Sequence, residues 1–201
     1  MFQWLIDFDQ KAFLYLNGIH SPEFDDIMYL ISGTKLWIPF YMVLLVIIVY
    51  RERPYHFLYT LIFIAIAVVL SDRISVLIKF LVHRPRPTYN PEIADIVHVV
   101  NYYRGGMYGF VSSHAANVFS VATFLAYHFK YYKWSLFLYS WAFVVTYSRI
   151  YLGVHYPLDL ICGIVIGMLI GTQCYVYKVR VEVYLERKIE IFKEKKAKSE
   201  L

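Results

Sequence analysis

Three short polar clusters, each at the edge of a long apolar run, carry the residues whose types and spacing could do chemistry. The first extends from Lys79 to Pro87, the second is the run 112–114, and the third extends from Ser148 to Asp159. Placing a charged side chain in an apolar run costs free energy, so such residues are usually functional. The clusters supply three cations, two histidines and a carboxylate. Side chains of these types can bind a phosphate and transfer it.

The cations can neutralise a phosphate from several directions. Lys79 offers a point charge, whereas Arg86 and Arg149 present planar guanidinium groups that bind two oxygens at a time. Ser113 and His114 open a predicted helix, whose first unpaired backbone N–H groups favour an anion. An array of donors of this kind stabilises developing charge better than one cation or bulk water. The sequence therefore predicts a phosphate site.

His155 and Asp159 are four residues apart at the start of a helix that is predicted to begin near Pro157. On a helix this spacing places both side chains on one face. A carboxylate that accepts a proton from one ring nitrogen leaves the other nitrogen unprotonated, and such an imidazole can attack phosphorus. His114, from another helix, would then protonate the leaving oxygen.

Composition places these clusters in a membrane. The 201 residues are 59% hydrophobic and 17% charged, against about 25% charged in soluble domains. The net charge is +5, but the basic residues lie at segment ends and in the tail. This distribution favours a membrane surface over nucleic acid as the partner. No signal peptide is expected, and the two cysteines indicate neither a disulfide framework nor a zinc site.

Five apolar segments are predicted to cross the bilayer as helices, namely 27–50, 54–80, 113–129, 134–148 and 157–177. The stretch 3–16 mixes apolar and charged residues, which is typical of an interfacial helix. The predicted fold is an all-α polytopic membrane helix bundle in one domain. Residues 1–26 form the interfacial segment, 27–178 the transmembrane core and 179–201 a cytoplasmic tail of alternating charge.

The basic connections indicate the orientation of the bundle. On one side of the predicted membrane lie Arg51, Arg53, Lys130, Lys133, Lys178 and Arg180. The positive-inside rule assigns that side to the cytoplasm, so the three polar clusters are expected on the outer face. The long loop 83–112 is expected to be functional. The roles of Asp72, Arg73, His98 and Arg104 remain open.

The three clusters resemble the motifs of the type 2 phosphatidic acid phosphatase family, membrane lipid phosphatases related to vanadium haloperoxidases. The first family motif, Lys, six residues, Arg-Pro, matches 79–87. The third, Ser-Arg, five residues, His, three residues, Asp, matches 148–159. The second, Pro-Ser-Gly-His, here reads Val111-Ser112-Ser113-His114, so its proline and glycine are replaced. The resemblance covers roughly residues 55–177.

The resemblance implies a role for each matching residue. His155 would be the nucleophile, Asp159 its orienting partner and His114 the general acid. The phosphate would be held by Lys79, Arg86, Ser112, Ser113 and Arg149. The family requires no metal or other cofactor.

The resemblance also implies a substrate class. This is an envelope lipid phosphate, either undecaprenyl pyrophosphate or lipid A, with phosphatidylglycerophosphate as a third class, presented at the outer face of a bacterial inner membrane. Two alternatives stay open: a lipid phosphotransferase, and a protein that binds or flips lipid phosphates without chemistry. The oligomeric state is not indicated.

Overall fold

The computed structural model describes residues 3–199, which fold into seven α-helices without a β-strand. The helices are α1 Gln3–Asn17, α2 Pro22–Ser32, α3 Ile38–Arg51, α4 Pro54–Val82, α5 Ser113–Phe129, α6 Tyr132–Tyr151 and α7 Pro157–Ser199. The predicted all-α membrane bundle is confirmed. Residues 1–2 of the predicted interfacial segment and 200–201 of the predicted tail lie outside the described residues.

Two of the helices, α4 and α7, are long and apolar enough to cross a membrane. Helix α2 and the segment Lys35–Arg51 pass the same test together, as one span bent by 70°. The other two predicted spans correspond to α5 and α6, with 17 and 20 residues. Helix α7 continues past the predicted end of the last span, so the described part of the tail belongs to the same helix.

The first predicted span, residues 27–50, was wrong as a continuous helix. Helix α2 ends before Gly33, which has an extended backbone, and α3 begins with Pro39 in its first turn. A proline inside a helix lacks the N–H donor, and its ring clashes with the carbonyl four residues earlier, here that of Lys35. The chain therefore turns at residues 33–37, and this turn brings Ser32 towards the third polar cluster.

Helix α5 lies at the centre of the bundle, and a glycine row on α7 explains its close approach. Gly163, Gly167 and Gly171 each face the backbone of α5, where an added Cβ would overlap a carbonyl such as that of Ala116. Small residues at four-residue spacing let two membrane helices pack backbone to backbone. This contact fixes the N-terminal ends of α5 and α7 beside each other, which are the ends that carry the second and third polar clusters.

Helix α1 docks on the bundle through a buried amide. The Asn17 side chain donates hydrogen bonds to the carbonyl oxygens of Ile150 and Tyr151, both at 3.0 Å, and accepts one from the His98 N–H at 2.8 Å. The opposite face of α1 exposes Trp4 and Phe8. The docked face, which buries Phe13 beside Asp9 and Asn17, is therefore opposite an exposed apolar face.

An ion-paired cluster closes the end of the bundle that was predicted to be cytoplasmic. Lys178 Nζ lies 2.9 Å from Glu182 Oε1 and 3.3 Å from Glu52 Oε1, and His56 Nδ1 lies 3.0 Å from Glu182. Because Lys178 is buried, these partners are what make its burial tolerable. The cluster ties α4, α7 and the connection after α3 together, far from the three polar clusters.

Candidate active site

The third polar cluster forms a buried imidazole–carboxylate pair. His155 Nδ1 lies 3.3 Å from Asp159 Oδ2, and the two residues are 1% and 0% exposed. The same carboxylate oxygen accepts the Tyr156 N–H at 3.0 Å. Because Pro157 starts α7, Asp159 lies in its first turn, one helical turn after His155. With Nδ1 directed at the carboxylate, Nε2 is the ring nitrogen left for chemistry.

The surroundings of His155 keep its ring neutral. Burial lowers the pKa of His155 well below its usual value, and the positive charges of Arg86 and Arg149 lower it further. A neutral imidazole has the free electron pair that a nucleophile needs. The cations that would bind a phosphate therefore also keep this histidine unprotonated.

Helix α5 joins the first and second clusters through the hydroxyl of Ser113. Lys79 Nζ donates to Ser113 Oγ at 2.5 Å, and Ser75 Oγ donates to the same oxygen at 2.7 Å. The replacement of the motif glycine by Ser113 therefore places a hydroxyl against the predicted phosphate-binding lysine. A phosphate oxygen would compete with this hydroxyl for Lys79.

Ser112 joins the second and third clusters. Its backbone N–H donates to the Asp159 carbonyl at 3.0 Å, and its side chain accepts from the Ala115 N–H at 3.4 Å as the N-cap of α5. The predicted phosphate-binding hydroxyl therefore also caps the helix, a common role for serine at this position. Its own proton remains available for donation.

Two buried arginines lie close to the histidine. Arg86 donates to the backbone oxygens of Val154 and Tyr108, both at 3.3 Å. Burial lowers the pKa of Arg86, and the neighbouring Arg149 charge lowers it further. Two buried like charges are unfavourable unless an anion lies between them. The pair therefore points to an anionic ligand.

Arg149 retains a free donor in this pocket. Its two terminal nitrogens donate to the Ser32 hydroxyl and to the Tyr103 hydroxyl, the latter at 3.1 Å. Its Nε is buried and has no partner among residues 3–199. A buried donor without a partner is costly, and a phosphate oxygen would satisfy it.

His114 lies where two cavities meet. One cavity, of about 420 Å³, has Ser32, Lys35, Tyr103 and Arg149 among its lining residues. The other, of about 540 Å³, lies among apolar side chains of α3, α4 and α5. Both cavities are lined by Thr34 and His114. His114 thus stands at the boundary between a cationic pocket and an apolar one.

The structure brings the predicted site residues of the three clusters together near the N-terminal ends of α5 and α7, but sequence reasoning missed several neighbouring residues. Arg84 donates to Asp159 Oδ1 at 3.0 Å and to Asp9 Oδ2 at 2.6 Å. Its position inside the first motif was a usable signal, whereas nothing in the sequence links residue 9 to residue 159. Tyr103 and Ser32 were missed for the same reason, since only the tertiary fold brings them to Arg149.

Two residues of the long loop make structural contacts outside the site. His98 Nε2 lies 2.9 Å from Asp25 Oδ1, so this histidine connects the long loop to α2. The Arg104 carbonyl accepts a hydrogen bond from the Thr88 hydroxyl at 3.4 Å within that loop. Among residues 3–199, no group of three or more His, Cys, Asp or Glu side chains is arranged to hold a metal ion.

The helical membrane bundle holds a buried histidine–aspartate pair close to two arginines and a lysine. This is the architecture of a membrane phosphatase. Residues 56–182 match the PAP2 superfamily. The chain belongs to this superfamily, which confirms the family resemblance, and it is a phosphatase that acts on lipid phosphates.

Two curated relatives share most of the chain. The lipid A 4'-phosphatase of Bacteroides thetaiotaomicron is 41% identical over 181 residues, which cover 87% of this chain and 79% of the relative. The lipid A 4'-phosphatase of Porphyromonas gingivalis is 35% identical over 182 residues, which cover 88% of this chain and 75% of the relative.

Two solved structures share the fold. The crystal structure of Aquifex aeolicus LpxE superposes with a TM-score of 0.59 at 25% identity, over 82% of this chain and 93% of that one. The first transmembrane PAP2 type phosphatidylglycerolphosphate phosphatase from Bacillus subtilis gives a TM-score of 0.67 at 19% identity, over 89% and 88%. At that identity the second likeness concerns the fold alone.

Proposed function

We propose that this chain removes a phosphate from lipid A, or from a closely related envelope lipid, at the outer face of the bacterial inner membrane. The observation that carries the proposal is the buried His155–Asp159 pair close to the charges of Arg86 and Arg149. The choice of lipid A among the expected lipid classes is supported by the names of the two curated relatives. The basic connections at the opposite end support an outward-facing site.

The proposed reaction has two steps. In the first, Nε2 of His155 attacks phosphorus while Asp159 holds the proton on Nδ1, and the bond from phosphorus to the lipid oxygen breaks. His114 donates a proton to that departing oxygen. In the second, His114 accepts a proton from water, whose oxygen attacks the phosphohistidine, and inorganic phosphate leaves as the nitrogen–phosphorus bond breaks.

The cations have a separate task in both steps. Charge develops on the oxygens of the transferring phosphoryl group, and fixed donors in a site shielded from water stabilise it strongly. Arg149 contributes its unpartnered Nε, and Arg86 a second guanidinium. Lys79 reaches the same end of α5 through Ser113. The backbone N–H of Ser113 completes the proposed set of phosphate-binding groups.

The two cavities support a lipid as substrate rather than a soluble phosphate. The cavity beside Arg149 can take a phosphorylated headgroup. The apolar cavity among α3, α4 and α5 offers about 540 Å³ to an acyl chain. His114 lies at their boundary, which is where the bond between phosphate and lipid would be broken. The burial of acyl methylenes stabilises the complex by roughly 0.8 kcal/mol each.

A panel of lipid phosphates tests the proposal. Purified protein in detergent is incubated with lipid A, undecaprenyl pyrophosphate and phosphatidylglycerophosphate in the presence of a chelator, and released phosphate is measured. We expect release from lipid A that is lost in His155→Asn. The matched control is His83→Asn, because His83 is exposed and has a left-handed backbone that asparagine tolerates.

The other outcomes separate the alternatives. Labelled phosphate that appears on a lipid or sugar acceptor instead of in solution indicates a phosphotransferase. Tight binding of lipid A without turnover, unchanged in His155→Asn, indicates a binding or flipping protein. Release that requires an added divalent cation contradicts the proposed mechanism.

A further inference from the structure

Arg84 bridges two buried carboxylates. One terminal nitrogen donates to Asp159 Oδ1 at 3.0 Å, and the other donates to Asp9 Oδ2 at 2.6 Å. Asp159 and Asp9 are 0% and 1% exposed. The guanidinium carbon also lies 4.1 Å from the centre of the Tyr156 ring, whose hydroxyl accepts a hydrogen bond from Asn90 at 3.0 Å. Two ion pairs and this ring contact therefore hold the guanidinium group.

Asp9 completes the bridge at the start of α7. Its second oxygen accepts the Leu158 N–H at 2.9 Å, one of the first N–H groups of the helix, which have no partner within the helix itself. Asp9 thus holds both Arg84 and the backbone beside Asp159. Burial raises the pKa of Asp9, and the hydrogen bond from Arg84 opposes this rise.

We propose that Arg84 and Asp9 are positioning residues for the reaction, and that α1 is thereby part of the catalytic apparatus. Arg84 fixes the orientation and the charge of the Asp159 carboxylate, which in turn orients His155. Asp9 fixes Arg84 and the first turn of α7. This inference rests on the proposed function. It extends the site to a helix that lies outside the residues matched by the superfamily.

Asp9 and Asp159 share one cation, Arg84. Without Arg84, Asp9 and Asp159 become buried acids with no cation between them, so the charge of each disfavours ionisation of the other. A protonated Asp159 cannot stabilise the cationic ring of His155 during the reaction. The charged and titratable groups around Asp159 are Arg84, Arg86, Lys79, Asp9, His155, Tyr156 and Cys162. Arg84 alone among them donates a hydrogen bond to Asp159 Oδ1.

Four variants test the inference in the purified full-length protein. Arg84→Met removes the cation, Asp9→Asn removes the remote carboxylate with little change of shape, and their combination removes both charges. Arg84→Lys restores a charge that can reach one carboxylate. Asp7→Asn is the matched control, since Asp7 is an exposed acid on the same helix. Each protein is first checked for a monodisperse profile and a cooperative melting curve.

We expect Arg84→Met to lower kcat for lipid A by about 10- to 100-fold, as the loss of a hydrogen bond between charged groups predicts. KM should change by less than about threefold, because Arg84 acts through Asp159 and not on the lipid. The acidic limb of its kcat/KM profile should move to higher pH than in the wild type. Arg84→Lys should recover part of kcat.

The double variant separates positioning from simple support of the fold. Removing Asp9 as well removes the charge that disfavours ionisation of Asp159, so the double variant should turn over faster at pH 7 than Arg84→Met alone. A merely structural role predicts the opposite, with two losses that add. Asp9→Asn alone should lower kcat without moving the acidic limb upward, and Asp7→Asn should match the wild type.

Two results overturn the inference while leaving the proposed function intact. One is wild-type kcat and an unchanged pH profile in folded Arg84→Met or Arg84→Lys. The other is a double variant slower than both single variants. A wild-type protein that hydrolyses no lipid phosphate overturns the proposed function itself, and the positioning role with it.

Discussion

Replacing Arg149 by lysine asks whether a guanidinium group, and not merely a positive charge, holds the phosphate. Arg149 is 2% exposed, and its two terminal nitrogens already donate to Ser32 and Tyr103. The Nε has no partner among the described residues. Lysine keeps the charge, but its three N–H donors lie on one compact nitrogen, which cannot span the separate positions from which the guanidinium nitrogens reach two hydroxyls and a phosphate oxygen.

The size of the effect follows from the hydrogen bonds that are lost. A hydrogen bond to a charged partner contributes about 1.5–3 kcal/mol, and each 1.4 kcal/mol of transition-state stabilisation changes a rate about tenfold. Losing one bond between Arg149 and the phosphate therefore lowers kcat/KM by about 10- to 150-fold. The orphaned hydroxyls of Ser32 and Tyr103 add a stability loss of about 1–2 kcal/mol.

The assay is the initial rate of phosphate release from lipid A at several substrate concentrations. Arg73→Lys is the matched control, because Arg73 is exposed on α4 away from the pocket. We expect wild-type kcat/KM in the control and the stated loss in Arg149→Lys. If folded Arg149→Lys stays within about threefold of the wild type, the guanidinium fork does not hold the phosphate.

Three further predictions address other parts of the molecule. His155 should show the ring ¹⁵N shifts of a neutral imidazole at pH 5.5, because its pKa is lowered; a mostly protonated ring, as the ordinary pKa of about 6.5 implies, contradicts this. Val121→Trp should fill the apolar cavity and raise KM for lipid A about tenfold, because the acyl chain loses its place there. KM for a short-chain phosphate should not change. An equal rise in KM for both substrates refutes the assignment of this cavity to the acyl chain. Asn17→Ala should lower the melting temperature by about 5–10 °C; an unchanged temperature means that α1 docks by other contacts.

Some contacts of the candidate site can be predicted from the sequence, because the residues that make them lie in short motifs at helix ends. His155 and Asp159 are one helical turn apart, so their pairing follows from local geometry. The convergence of Lys79 with Ser113 follows from antiparallel helices whose ends share one membrane face. Both features need only the helix positions and the order of the segments along the chain.

The sequence could not predict contacts that depend on side-chain packing between distant segments. Asp9 and Arg84 are 75 residues apart, and their contact arises because α1 folds back over the first turn of α7. The bend at residues 33–37 was missed although Gly33 and Pro39 marked it, because the apolar run from 27 to 50 continues unbroken in hydropathy. Without that bend, Ser32 would not reach Arg149.

The most direct test of the central claim is to trap the covalent intermediate. The protein is mixed with lipid A that carries a labelled phosphate, quenched within milliseconds in alkali and digested, and the modified residue is identified by mass spectrometry. We expect alkali-stable label on His155, which is absent from His155→Asn and decays at a rate no slower than kcat. Sustained phosphate release by His155→Asn, or label on another residue, would contradict it.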